Sequence, residues 1–188
     1  LSGVLLHVCC GPCTIYPLRI LREEGRDVHG LFYNPNIHPY MEYKRRLETL
    51  TAYADQIGFP VIRDDAWPME DFLRQVVFRE DDRCPACYRI RLSETARIAK
   101  ERGFDSFTST LLYSRYQKHE LIIQIAEEEA QKQGVYFLYR DFREGWAEGI
   151  RVSKEMGMYR QPYCGCIYSE KERYFRPRRI KQSNLPHK

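Results

Sequence analysis

All seven cysteines of the chain fall into three groups: Cys9, Cys10 and Cys13 in the run Cys9-Cys10-Gly11-Pro12-Cys13, Cys84 and Cys87 in Cys84-Pro85-Ala86-Cys87, and Cys164 and Cys166 around Gly165. Close spacing lets one short stretch offer two or three thiolates to a single centre, and the interleaved Gly and Pro shape such turns. Three readings compete. Buried hydrophobic cysteines are common singly but explain neither the clustering nor its Gly and Pro. Structural zinc takes a closed set of four ligands, with Cys84-x-x-Cys87 as one half-site, but adjacent cysteines are an unusual other half and three thiolates are left over. An iron–sulfur cluster takes four thiolates at varied spacings, which divides seven into four plus three. The pattern establishes a metal site and favours iron–sulfur over zinc. A thioredoxin-like pair at Cys84 and Cys87 has a poor preceding strand pattern.

The elements that must position these thiols alternate along the chain. Gly3–Val8 reads as a buried strand ending at Cys9, Thr14–Glu24 as a helix stopped by Gly25, and Val28–Tyr33 as a second strand. The loop Asn34-Pro35-Asn36-Ile37-His38-Pro39 leads to a charged helix over Tyr40–Ile57 with Leu47, Leu50 and Ala54 on one face, then to a short strand over Phe59–Arg63. Helices are expected over Met69–Phe78 and from Cys84 to Arg102, the latter on the repeat of Ile90, Thr95 and Ile98. Ser106–Thr110 reads as strand four, Gln117–Gln133 as a helix, Val135–Tyr139 as strand five and Ile150–Met156 as a helix. This alternation argues βαβ units: an α/β fold with a parallel sheet of about five strands and helices on both faces. Ligands of such sheets sit at the carboxyl ends of the strands, where Cys9, Cys10 and Cys13 lie.

The 188 residues suit one domain of ordinary size, and 43% hydrophobic content is enough for a sizeable core. No apolar run approaches the roughly 18 residues of a membrane span, and Leu1–Val8 is too short for a signal peptide, so a cytosolic protein is expected. The formal charge of +4 is unevenly spread. From Glu170 onward seven Lys or Arg face two Glu, a surplus of +5, while 23 basic and 24 acidic residues leave the body at −1. The chain therefore divides into an α/β domain over 1–169 and a basic tail over 170–188. Such an arm suits a phosphate backbone, or is simply a solvated tail.

Four segments carry a resemblance: His7-Val8-Cys9-Cys10-Gly11-Pro12-Cys13; Tyr33 to Pro39 with Glu42, Tyr43 and Arg46; Cys84-x-x-Cys87; and Tyr159-Arg160-Gln161-x-Tyr163-Cys164-Gly165-Cys166. Together, in order from residue 4 to about 170, they resemble the QueH-type epoxyqueuosine reductases, with Tyr113-Ser114-Arg115-Tyr116-Gln117-Lys118 similar to the family's segment after strand four, except for Arg115 where proline is common. The resemblance implies a fold similar to the adenine-nucleotide α-hydrolase group, a Rossmann-like sheet. It implies reductive removal of the epoxide oxygen of epoxyqueuosine at the tRNA wobble position to give queuosine. It also implies a four-iron [4Fe-4S] cluster with an adjacent mononuclear iron, no cobalamin, and an external electron donor.

On that resemblance Cys9, Cys10, Cys84 and Cys87 are assigned to the cluster, and Cys13, Cys164 and Cys166 to the second iron or to redox exchange, with Cys10 and Cys13 interchangeable. Proton donors come from Tyr113, Tyr163, His38 and Lys118, each of which also reads as a packing or surface residue. His7, inside a strand, reads as a hydrogen-bonded core residue. Asn34 and Asn36 contact the nucleoside or hold their loop. Arg176, Arg178, Arg179 and Lys181 are candidates for tRNA phosphates. Two other functions fit parts of the pattern. An ATP-dependent tRNA sulfur-transferase shares the fold group but needs a phosphate loop with more small residues than Cys-Cys-Gly-Pro-Cys offers. A zinc-stabilised RNA-binding module would have no catalysis.

Overall fold

In the computed structural model, which describes residues 3–63 and 66–176, strand β1 (Gly3–His7) is buried at every position from Val4 to His7. A strand buried on both faces belongs in the middle of a parallel sheet. It pairs in parallel with β2 (Asp27–Phe32) on one side and β4 (Ser106–Ser109) on the other. The short strands β3 (Val61–Arg63) and β5 (Tyr136–Phe137) form the edges, giving the all-parallel order β3-β2-β1-β4-β5.

Helices α1 (Gly11–Glu23) and α2 (Tyr40–Ile57) connect the strands on one side of β1. Helices α3 (Met69–Val76), α4 (Cys84–Glu101) and α5 (His119–Gln133) make the connections after the strand order reverses. Right-handed crossovers in opposite directions put the two groups on opposite faces. Accordingly α1 packs on α2, and α4 packs on α3 and α5. Helices α6 (Trp146–Glu155), against α1, and α7 (Ile167–Tyr174) complete the chain. The expected doubly wound sheet is therefore observed, with its switch point between the carboxyl ends of β1 and β4.

Several boundaries differ from expectation. Helix α1 starts at Gly11 rather than Thr14, with Pro12 in its first turn, where a missing N–H does no harm. This puts Cys13 on a helix instead of a loop. Strand β5 is two residues long rather than five, because β4 offers it only Ser106 and Phe107 as partners. Helix α6 starts at Trp146, not Ile150, and the glycine just before it is a close-packing point: a Cβ on Gly145 would lie 2.0 Å from the Tyr16 ring. Residues 110–113 form a 3₁₀ turn, and α5 begins at His119. The buried face of α4 is Cys87, Tyr88, Arg91, Leu92, Thr95, Ala96 and Ala99, rotated from the expected repeat of Ile90 and Ile98. Helix α7 spans residue 170 and buries none of its residues, so no apolar period announces it. Arg176 follows it and is exposed; Arg178, Arg179 and Lys181 lie outside the described residues.

Candidate metal centre and active site

Each cysteine group stands at the start of a helix. Cys10 caps α1, Cys84 is the first residue of α4 with Cys87 in the same turn, and Cys166 caps α7, its sulfur accepting from the Ser169 N–H at 3.4 Å. The unpaired N–H groups of a helix start favour negative charge, the state in which cysteine binds metals. The three starts meet at one cavity of about 710 Å³ whose lining includes Cys9, Cys13, Cys84, Cys87, Cys164 and Cys166. Cys10 lies just beneath it: the sulfurs of Cys9, Cys10 and Cys13 are all within 4.8 Å of one another.

The convergent trio thus comes entirely from the first segment and cuts across the partition expected from the resemblance, which joined Cys9 and Cys10 to Cys84 and Cys87. Polar side chains are aimed at the sulfurs. Thr110, in the turn after β4, donates to Cys9 Sγ at 3.3 Å, and Gln161 Nε2 donates to Cys10 Sγ at 2.9 Å and to Cys13 Sγ at 3.3 Å. Gln117 donates to Cys164 Sγ at 3.3 Å, and Arg91 donates to Cys87 Sγ at 3.2 Å. Hydrogen bonds from Cys10, Cys13 and Thr110 hold Cys9 well below the ordinary thiol range, whereas burial pushes Cys87 up to about 12 despite the Arg91 charge.

Soft sulfur donors of this number fit a thiolate-held metal group. Gln161 Oε1 is buried without a partner while its Nε2 serves two sulfurs, so the amide is turned toward the thiols at the expense of its own oxygen.

The third cysteine segment is held by a buried arginine. Arg46, 1% exposed, is paired with Glu42 at 2.7 Å and donates to the carbonyls of Cys164 and Tyr163, each at 3.0 Å. Gly165 between the two cysteines has φ +134, and a Cβ there would lie 3.2 Å from Arg46 Nη1, so only glycine fits the turn.

The four proton-donor candidates separate. Tyr113 lines the cavity, with its hydroxyl donating to the Trp146 carbonyl at 3.2 Å. Burial, then the neighbouring Cys13 and Cys10, push its pKa up, so it keeps its proton. Lys118 is exposed at the cavity. Tyr163 also lines the cavity, but its hydroxyl donates to the His38 carbonyl. His38 is not among the lining residues; its N–H donates to Gly165 O at 2.8 Å and its Nδ1 accepts from Ile167 N at 3.4 Å, which ties the loop to the third cysteine turn. His7 is a core residue between Ser109 and Tyr33, with its pKa lowered to about 4 by burial and then by Arg91. Asn34 donates to the Val8 carbonyl at 2.9 Å and so holds its loop to β1.

Sequence reasoning gave no role to Arg46, Arg91, Gln117, Thr110 or Gln161. For the two arginines a signal was present: Arg46 lies four residues before Leu50, and Arg91 four after Cys87, on faces that are otherwise buried.

The family model described as epoxyqueuosine reductase QueH matches residues 4–172. The chain is 39% identical over 174 residues to an epoxyqueuosine reductase QueH of Dehalococcoides mccartyi, covering 93% of this chain and 96% of that one. It is 38% identical over 186 residues to that of Thermotoga maritima, covering 92% and 93%. Among solved structures, the predicted subunit of a tRNA methyltransferase from Methanocaldococcus jannaschii superposes with a TM-score of 0.56 at 16% identity, over 82% of this chain and 75% of that one, a likeness of fold. With matched residues that include all three cysteine groups, the chain belongs to the epoxyqueuosine reductase QueH family.

Proposed function

We propose that the thiol-lined cavity reductively removes the epoxide oxygen of epoxyqueuosine in tRNA, giving queuosine. The observation that carries this reading is the meeting of thiols from three distant segments in one cavity, in a chain of this family. The reaction breaks both carbon–oxygen bonds of the epoxide, takes up two electrons and two protons, and leaves an alkene and water. An external donor must therefore supply the electrons.

A metal group held by the cysteines, in our reading a [4Fe-4S] cluster with an adjacent iron, supplies one-electron transfers and a Lewis-acid position. The trio of Cys9, Cys10 and Cys13 would hold one part of it, and Cys84, Cys87, Cys164 and Cys166 the remainder. Gln161, Gln117, Thr110 and Arg91 orient the sulfurs by hydrogen bonds. Tyr113, protonated and at the cavity wall, holds a proton where the departing oxygen needs one, and Lys118 can replenish it from the rim. Arg160 and Arg173 line the same cavity, and Tyr116, 86% exposed, stacks edge-on against Trp146 beside it. Cations beside aromatic faces suit phosphates and an unstacked base. By their charge alone, the basic residues Arg176, Arg178, Arg179 and Lys181 are further candidates for tRNA phosphates. Among the described residues no helix is long and apolar enough to cross a membrane. A tRNA substrate would be met in the cytoplasm.

The test is anaerobic. Purified protein is analysed for iron and sulfide, then incubated with epoxyqueuosine-containing tRNA and a strong reductant, with mass spectrometry of the nucleosides. Iron-containing brown protein and loss of one oxygen from the nucleoside are expected. Zinc without iron, or an unaltered nucleoside, would defeat the reading.

A further inference from the structure

Two arginines are the largest fully buried side chains among the described residues, and they are not equivalent. Arg46 has Glu42 as its counter-ion. Arg91, 1% exposed, pairs with no carboxylate among the described residues; it donates from Nε to the Cys87 carbonyl at 3.1 Å and from Nη2 to Cys87 Sγ at 3.2 Å. A guanidinium stays charged in proteins, and leaving a buried charge uncompensated costs several kcal/mol. The groups whose negative form would offset it are Cys87, Cys164 and Cys9, all around the cavity.

We propose that Arg91 is the positioning residue of the thiol centre: it fixes Cys87 through both sulfur and carbonyl, balances the negative charge of the assembled ligand set, and raises the reduction potential of the metal group bound there. Hydrogen bonds to ligand sulfurs and net charge are the levers by which a protein sets that potential. The inference rests on the reading that these thiols hold a redox metal. Buried with no carboxylate beside it, Arg91 also carries a desolvation cost that a bound metal group would offset.

Arg91→Met and Arg91→Lys are compared with the wild type in two states. Without metal, the Met variant is expected to melt at or above the wild-type temperature. With metal, its midpoint in a dye-mediated redox titration is expected to fall by at least the 59 mV that corresponds to tenfold in a one-electron equilibrium, while the Lys variant stays within that margin. Loss of metal from the Met variant alone would support the same conclusion. A Met variant that misfolds or melts lower without metal would show a packing role and overturn the proposal. So would a loaded Met variant with an unchanged midpoint. Wild type that binds no metal would defeat the metal reading itself and this inference with it; metal-binding wild type beside an indifferent Met variant defeats the inference alone.

Discussion

Tyr113 and Tyr163 both line the cavity, and both have pKa values raised chiefly by burial, yet their hydroxyls are differently engaged. Each donates to a backbone carbonyl, Tyr163 to that of His38 and Tyr113 more loosely to that of Trp146 at 3.2 Å, but only Tyr113 has Cys13 and Cys10 among the groups that raise its pKa. Tyr113→Phe should therefore lower the single-turnover rate of deoxygenation by about 100-fold, the low end for a general acid, with iron content unchanged. Tyr163→Phe should lower stability by about 1 kcal/mol in urea unfolding and leave that rate within a few-fold. Equal rate losses in the two variants would contradict this division. The cysteines and the two tyrosines could be picked from the sequence because their types are chemically conspicuous. The side chains that aim the sulfurs could not. Gln161 and Thr110 are ordinary surface types, and what makes them functional is a contact across about 100 residues or more, 151 for Gln161 with Cys10 and 101 for Thr110 with Cys9.

Among the elements, α6 shows how a helix can place the proposed proton donor without supplying it. A Cβ on Gly149 would fall 2.2 Å from the Tyr113 hydroxyl, so the helix can lie against the tyrosine only because that position has no side chain. Gly149→Ala should raise intrinsic helix propensity yet displace Tyr113, cutting turnover at least as deeply as Tyr113→Phe while far-UV circular dichroism stays native. Full activity in that variant would show that the close approach does not matter. On the opposite face, Glu129 of α5 is 3% exposed and joins Arg89 of α4 at 2.5 Å and Lys132 at 2.7 Å. Burial opposes its charge, but the two cations outweigh it and hold its pKa below the ordinary carboxylate range. A depressed folded pKa means stability that is present above the unfolded value and lost as pH falls through the folded one. Glu129→Gln should therefore be less stable at neutral pH and lose less on acidification, as read by urea midpoints across that range; parallel pH profiles would refute the pairing. Long helices such as α2 were legible to the residue, with Pro39 before it and Gly58 after it. Less legible were α7, which buries nothing, and the first turn of α6, where Gly149 serves a close contact.

For the molecule as a whole, the order of strands decides what meets what. Because β1 is flanked by β2 and β4, the residues that follow β1 and β4 face each other at the switch point, and α4 brings its first turn there from the crossover between β3 and β4. Alternation in the sequence was enough to expect a parallel sheet and to place Cys9 at a strand's carboxyl end. It could not say that residues 84–87 and 161–166 would arrive at the same place, since that depends on crossover handedness and on contacts such as Arg46 with the third segment. The cavity so formed carries Lys118, Arg160 and Arg173 beside its thiols, the first two on a body over 1–169 whose charge nearly cancels. If those cations meet tRNA phosphates, each contact releases about one counter-ion, and affinity falls steeply with salt. Filter binding of an anticodon stem–loop across a salt series should give a steep negative slope. Lys118→Ala and Arg160→Ala should each make that slope shallower by about one unit, with little change in preference among RNA sequences. A slope unmoved by either substitution would place the RNA elsewhere on the surface, and the cavity would then have to reach its nucleoside without help from its own rim.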